Sequence, residues 1–307
     1  MDKMLQEIME IPQRAVEFWE SSTKVELPLN VPYLGMGSSY FAPLAFKYMG
    51  IEIHPEIASE FFNYQANKKR FPLGVILSQS GRSSEALWCI DLFDTYKAIT
   101  NYPQNALSLS PNASGYIDLM AGDEQYSSSK TYINTLLALF KGFGFDATNA
   151  IEILKKKMAD YERKGKEMAD QVFELISSKE IHGIYILGSG PNISTALEAA
   201  LILSESTKRN FHGQAMAQYD HGPKETAENS IVIQILAKGN SYERAQNLNT
   251  IISASGAHVI SVEEPEVDEN FSVIHNMVPF NFMAYYLAQK LGITETFVVG
   301  GKVTEAE

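Results

Sequence analysis

The chain has 307 residues, 45% hydrophobic and 20% charged, which is enough for a sizeable core and unlike a disordered segment. A formal net charge of −12, from 25 Lys and Arg against 37 Asp and Glu, argues against nucleic acid as a partner. The single cysteine, Cys89, excludes an intrachain disulfide and a cysteine-based metal site. No apolar run approaches the ~18 residues of a membrane span, so no membrane partner is expected. The N-terminus lacks the basic start and apolar core of a signal peptide, and the expected compartment is the cytoplasm.

In chain order, residues 4–19 read as a helix interrupted near Pro12. Residues 31–34 predict a strand ending in Gly35-Met36-Gly37-Ser38-Ser39, then a helix to about Tyr48. Residues 51–53 predict a second strand and 55–64 a helix. A short apolar strand at 74–77 meets the polar turn Ser78-Gln79-Ser80-Gly81-Arg82-Ser83, followed by a helical pattern from Ser84 to about Tyr96. Cys89 falls on the apolar face of that pattern and reads as a small buried hydrophobe. Residues 106–109 and 116–119 predict further strands, and Ser127-Ser128-Ser129-Lys130 leads into a long apolar helix over 131–143. The charged stretch 148–178 carries Ile151, Leu154, Met158, Met168 and Val172 at helical spacing. It reads as one or two linker helices, or as the first helix of a second half.

The second half repeats the first. Residues 184–187 predict a strand leading into Gly188-Ser189-Gly190-Pro191-Asn192 and a helix from 194 to 206. The apolar run 230–236 meets Lys238-Gly239-Asn240-Ser241 and a helix, and 256–262 is a matching third strand. Strands alternating with helices, twice in the same order, predict an α/β protein of two tandem subdomains. Each is expected to be a doubly wound parallel sheet flanked by helices. The boundaries are an N-terminal helical segment at 1–28, a first subdomain at 29–147, a linker at 148–178, a second subdomain at 179–275, and a C-terminal helix and tail at 276–307.

Ligands in such sheets sit at the carboxyl ends of the strands, where both GMGSS and SQSGRSS fall. A hydroxyl-rich turn at a helix start is an anion site in the making, because the first helical N–H groups lack internal partners and the dipole end is positive. The bland alternative, that Ser83 or Ser84 merely caps a helix and Gly81 makes the turn, fits the segment equally well. Neither GxG turn completes G-x-G-x-x-G, since Tyr40 and Ile193 stand at the third position, so a dinucleotide cofactor is disfavoured. No pair of histidines has metal-ligand spacing, and neither metal nor cofactor is expected.

Several segments in this order resemble the sugar isomerase (SIS) domain family, and most of all the isomerase half of glucosamine-6-phosphate synthases and the related deaminases. They are GMGSSYFA (35–42), SQSGRSSEAL (78–87), SSSKTYINTLLAL (127–139), LGSGPNISTALEAALILSES (187–206), AQYDHGP (217–223) and GKVTE (301–305). The resemblance implies two SIS subdomains and a hexose phosphate ligand such as glucosamine 6-phosphate or fructose 6-phosphate. It implies that Ser78, Gln79, Ser80 and Ser83 hold the phosphate, and that Ser38, Ser39 and Ser128 approach the sugar. Glu205 matches the base that moves a proton between C1 and C2, His221 a histidine that assists ring opening, and Lys302 a lysine of the tail that closes over the sugar. Glu198 matches a positioning residue. The family's histidine comes from the neighbouring subunit, so a homodimer with a shared site is implied. Without the motif, Glu205 would read as a solvated helix-end carboxylate, His221 as a surface residue and Lys302 as part of a frayed tail.

The chain departs from the synthases in three places. It starts Met1-Asp2 with no glutaminase nucleophile, so the expected reaction does not use glutamine. Ile202 stands where the synthases have a lysine, and Arg82 where they have a glutamate. The expected activity is deamination of an amino sugar phosphate, with a fructosamine-6-phosphate deglycase or an aldose–ketose isomerase as the alternative and a non-catalytic phosphosugar sensor as a third.

Overall fold

The computed structural model describes residues 2–21, 25–67 and 69–304. It divides into two compact units. One runs from Glu10 to Ile151 and includes the tail from Phe297 onward; the other comprises the N-terminal helix through Met9 and Glu152–Thr296.

The unit that starts at Glu10 holds a five-stranded sheet of β1 (Pro32–Gly35), β2 (His54–Ile57), β3 (Phe71–Leu77), β4 (Phe93–Thr100) and β5 (Ala113–Asp118). Its order is β2-β1-β3-β4-β5 and every pairing is parallel. The unit that contains Glu152–Thr296 holds β6 (Ile184–Gly188), β7 (His212–Ala215), β8 (Ile231–Leu236) and β9 (His258–Glu263), ordered β7-β6-β8-β9 and again all parallel. In each sheet the first strand lies inside, the second pairs on one side of it and the third on the other. The inner strands are covered on both faces, which is why β8 is buried at all six positions and β3 at its last four.

The Lys130–Gly142 helix is buried from Lys130 to Phe140. Its apolar residues include Tyr132, Ile133, Leu136, Leu137 and Phe140, and Phe140 meets Phe46 edge-on at 4.8 Å. Two of its buried polar side chains, Lys130 and Asn134, are tied to partners outside the helix. Lys130 Nζ pairs with Glu10, and Asn134 Nδ2 donates to the carbonyls of Leu119 at 2.7 Å and Arg14 at 3.1 Å. The Thr148–Ser178 stretch is one helix of 31 residues. Among the described residues, no helix is long and apolar enough to cross a membrane.

Three local expectations are overturned. The helix after the SQSG turn is not carried to Tyr96 but ends at Trp88, and Phe93–Thr100 is a full strand. The aromatic and β-branched residues of β4 pair with β3 in register, and that ladder outweighs the helical spacing of the apolar positions. Residues 106–109 are not a strand but one helical turn, held by an Asn105 capping box in which the Asn105 side chain accepts from Ser108 N and Ser108 Oγ accepts from Asn105 N. The second strand is not at 51–53 but at His54–Ile57, so the expected helix over 55–64 begins as strand.

Gly188 ends β6 where the following helix turns back. A Cβ there would lie 2.0 Å from the Asn192 carbonyl oxygen, a backbone atom that cannot step aside. Gly188→Ala is expected to cost ~1–3 kcal/mol of stability by overpacking. Equilibrium urea unfolding checks this, and an unchanged midpoint contradicts it.

Candidate active site

β3 ends at Leu77, and the chain turns through Ser78–Ser83 at its carboxyl end. Gly81 makes the turn with φ +65°, and a Cβ there would collide with the Asn105 side chain at 2.1 Å. The turn is tied down by its own hydroxyls. Gly81 N donates to Ser78 Oγ at 3.1 Å, Arg82 N to Ser80 Oγ at 3.2 Å, and Ser78 Oγ to Ser83 Oγ at 3.3 Å. A hydroxyl that accepts one of these bonds still has its own proton to donate. Ser80 and Ser83 are therefore arranged as donors, which suits an anion. The Gln79 carbonyl is held by Asn101 N at 3.0 Å and Thr100 Oγ1 at 3.3 Å, which anchors the turn to the end of β4. Ser83 stands at the cap position of the next helix without a side-chain cap bond, and that helix, Ser84–Trp88, is only five residues long. Its dipole contributes little, which leaves the hydroxyls of the turn as its larger set of donors. Arg82 is exposed.

Beside β3, β1 delivers Ser38 and Ser39 at the start of the Ser38–Tyr48 helix, after Gly37 at φ +47°. Both serines are half-buried.

Glu124 escaped the sequence reading, and it organises the rest of this region. Its Oε1 accepts from Ser129 N at 3.0 Å, Ser129 Oγ at 2.9 Å and Thr131 N at 3.2 Å, and its Oε2 from Thr131 Oγ1. The carboxylate thereby caps the Lys130–Gly142 helix from outside it, at the positive end of the dipole. Ser129 is thus turned inward, while Ser128 is half-buried with its Oγ 3.2 Å from Thr131 Oγ1. Lys302 in the tail donates to the Glu124 carbonyl at 2.9 Å and to its Oε2 at 3.1 Å. Burial by itself raises the Glu124 carboxyl, but the Lys302 ammonium and the bonds from Thr131 and Ser129 outweigh it and hold the group below the usual carboxylate range. Two residues beyond Lys302, the Thr304 carbonyl accepts from Ser84 N at 3.1 Å. Glu305, the last residue of the GKVTE match, lies outside the described residues. The only sequence signal for Glu124 is a lone acid shortly before a hydroxyl run and a helix start, which reads as an ordinary loop residue.

The other unit carries Glu198, Ile202, Glu205 and His221. The first three lie on the Asn192–Thr207 helix, where Glu198 and Ile202 are fully buried and Glu205 is half-buried near the C-terminal end. Ile202 is packed in the core of its unit and brings no charge. His221 is exposed, one residue past the Met216–Asp220 helix. Asp220 beside it is held below the usual range by bonds from Arg244 at 2.9 Å and Lys224 at 3.0 Å. Among the described residues, no cluster of three or more His, Cys, Asp or Glu is placed to hold a metal ion.

A scan against protein-family models matched none. Among curated proteins, the glutamine–fructose-6-phosphate aminotransferase (isomerizing) of Methanothermobacter thermautotrophicus is 25% identical over 293 residues, covering 86% of this chain and 49% of that protein. Its counterpart in Methanocaldococcus jannaschii is 26% identical, covering 94% of this chain and 29% of that protein. The chain thus spans half or less of these relatives. Among solved structures, the C-terminal domain of the glucosamine-fructose-6-phosphate aminotransferase of Francisella tularensis superposes with a TM-score of 0.74 at 20% identity, over 94% of this chain and 96% of that one. The chain thus resembles the isomerase part of these aminotransferases, the sugar isomerase (SIS) domain. A glucosamine-6-phosphate deaminase of Thermotoga maritima shares the SIS fold with a TM-score of 0.71 at 20% identity, over 94% of each chain. A tagatose-6-phosphate ketose/aldose isomerase of Escherichia coli does so with 0.70 at 16% identity, over 94% of this chain and 93% of that one.

Cys89, at the C-cap of the Ser84–Trp88 helix, is fully buried, and desolvation pushes its thiol up to about 12. In the native protein a thiol reagent at pH 8 should leave Cys89 unmodified and label it stoichiometrically in denaturant. Rapid labelling without denaturant contradicts the packing described.

Proposed function

We propose that this SIS chain is a phosphosugar enzyme, one subdomain per unit, that deaminates glucosamine 6-phosphate to fructose 6-phosphate. The observation that carries the reading is the Ser78–Ser83 turn, where Ser80 and Ser83 already accept hydrogen bonds and keep their own protons to donate to a phosphate. Gln79 adds an amide, and Ser38, Ser39 and Ser128 are the hydroxyls for the sugar. Glu205 is assigned as the base. It takes the proton from C2 of the open-chain aldose and returns it to C1, passing through an enolamine to a C2 imine. Water adds to C2 and ammonia leaves, so one water is consumed for each ammonia released. A carboxylate in this role contributes ~10²–10⁴-fold. His221 assists ring opening from a second copy of the chain, Glu198 positions the base, and Lys302 steadies the oxygen at C1.

One observation favours a second reading. Ile202 is apolar and fully buried where the synthases have a lysine, and that loss of charge is compatible with aldose–ketose isomerisation or cleavage of a fructosamine 6-phosphate by the same base.

Purified protein incubated with glucosamine 6-phosphate in deuterated buffer is expected to release ammonia and fructose 6-phosphate in equal amounts. Glu205→Gln should lower turnover at least ~10²-fold and still bind the sugar phosphate. Solvent deuterium entering the sugar without ammonia selects the isomerase reading, and neither product nor exchange overturns the enzyme assignment. Mixing inactive Glu205→Gln with inactive His221→Ala should restore activity, because a hybrid dimer contains one site with both residues intact. No recovery on mixing contradicts the shared site.

A further inference from the structure

We propose that Glu124 is a positioning residue, a latch that holds Lys302 and with it the tail against the hydroxyl turns of its unit. For its catalytic consequence this rests on the reading of Lys302 given above; the latch itself does not.

The Glu124 side chain is fully buried and meets five donors, from Ser129, Thr131 and Lys302. A carboxylate offers about four lone-pair sites, so this one is saturated. Four of its donors come from the start of the Lys130–Gly142 helix and are there whether or not the tail is. They fix the carboxylate, and the fixed carboxylate then presents an unneutralised charge that only Lys302 answers among the bonds it makes. The ammonium is gripped at two points, the Glu124 carbonyl and Oε2, which sets its position as well as its charge. Apolar burial cannot do this work: Val298 is 58% exposed and Val299 is 94% exposed. The tail is therefore held by polar anchors. Lys302 is tied to the segment before Ser128, and the Thr304 carbonyl to Ser84 at the end of the Ser78–Ser83 turn. One short strap thus joins the two hydroxyl segments assigned to the substrate. Removing the charge at Glu124 leaves the half-buried ammonium without its counter-charge and with only the Glu124 carbonyl as acceptor, and the strap should let go.

Two measurements test the latch without any substrate. In the native protein, acylation of Lys302 should be at least tenfold slower than that of the exposed Lys156, read by mass spectrometry. Trypsin should cut Lys302–Val303 at least tenfold faster in Glu124→Gln than in wild type, with Glu124→Asp, which keeps the charge, restoring part of the protection. Cys89 labelling confirms that each variant is folded. Lys302 acylated as fast as Lys156, or equal cleavage in folded wild type and Glu124→Gln, overturns the latch. If the protein turns over, Glu124→Gln and Lys302→Met should each lower kcat, and the double variant should be no worse than the poorer single one. Fully additive losses contradict coupling through Lys302. A protected tail in a protein that releases no ammonia keeps the latch and refutes the deaminase reading.

Discussion

The structure depends on one topological constraint, the divergence of chain at the carboxyl ends of two adjacent parallel strands. From β1 the chain goes to β2 on one side, and from β3 to β4 on the other. The connections leave in opposite directions, so the turns after β1 and β3 are not covered by a common crossover. After β3, serine hydroxyls take up the backbone N–H groups of Gly81 and Arg82. The same step recurs at β6 and β8, where GSGPN and KGNS follow the strands. Fold alone therefore offers two such openings, and the residue types distinguish them. The opening at β1 and β3 is lined by hydroxyls, while in the other unit the Glu269 carboxylate already lies against Gly239 and Gly190.

Glu124 shows how a buried charge can be tolerated. An ionised carboxylate taken out of water costs several kcal/mol unless its lone pairs are met. Here backbone N–H groups, two hydroxyls and an ammonium meet them, and the helix dipole adds its share. Together these partners hold the carboxyl below its usual range. Its contribution is present above the ordinary carboxylate pKa and is lost as the pH falls through the lower folded value, so on the proposed latch acid should loosen the tail.

Much of this was legible in the sequence. Short apolar runs closed by Gly and Ser marked β1, β3, β6 and β8, because a strand buried on both faces must be apolar throughout. The turns were legible for the same reason that they are useful, since few residue types fit a tight polar turn. The misreadings share a cause. Residues 93–100 have apolar spacing that suits either a helix or a half-exposed strand, and only pairing with β3 decides. Residues 106–109 are too short to show a period, and the Asn105 cap decides there. Glu124 was invisible because its partners lie five, seven and 178 residues along the chain. Ile202 and Lys302 gained meaning only through resemblance to known motifs.

The central claim is that the Ser78–Ser83 turn takes the phosphate of a hexose. A crystal structure with fructose 6-phosphate tests it most directly. The account predicts phosphate oxygens within hydrogen-bond reach of Ser80 and Ser83, with Gln79 alongside. Phosphate density anywhere else in the protein, with the turn unliganded at saturating sugar, would contradict it.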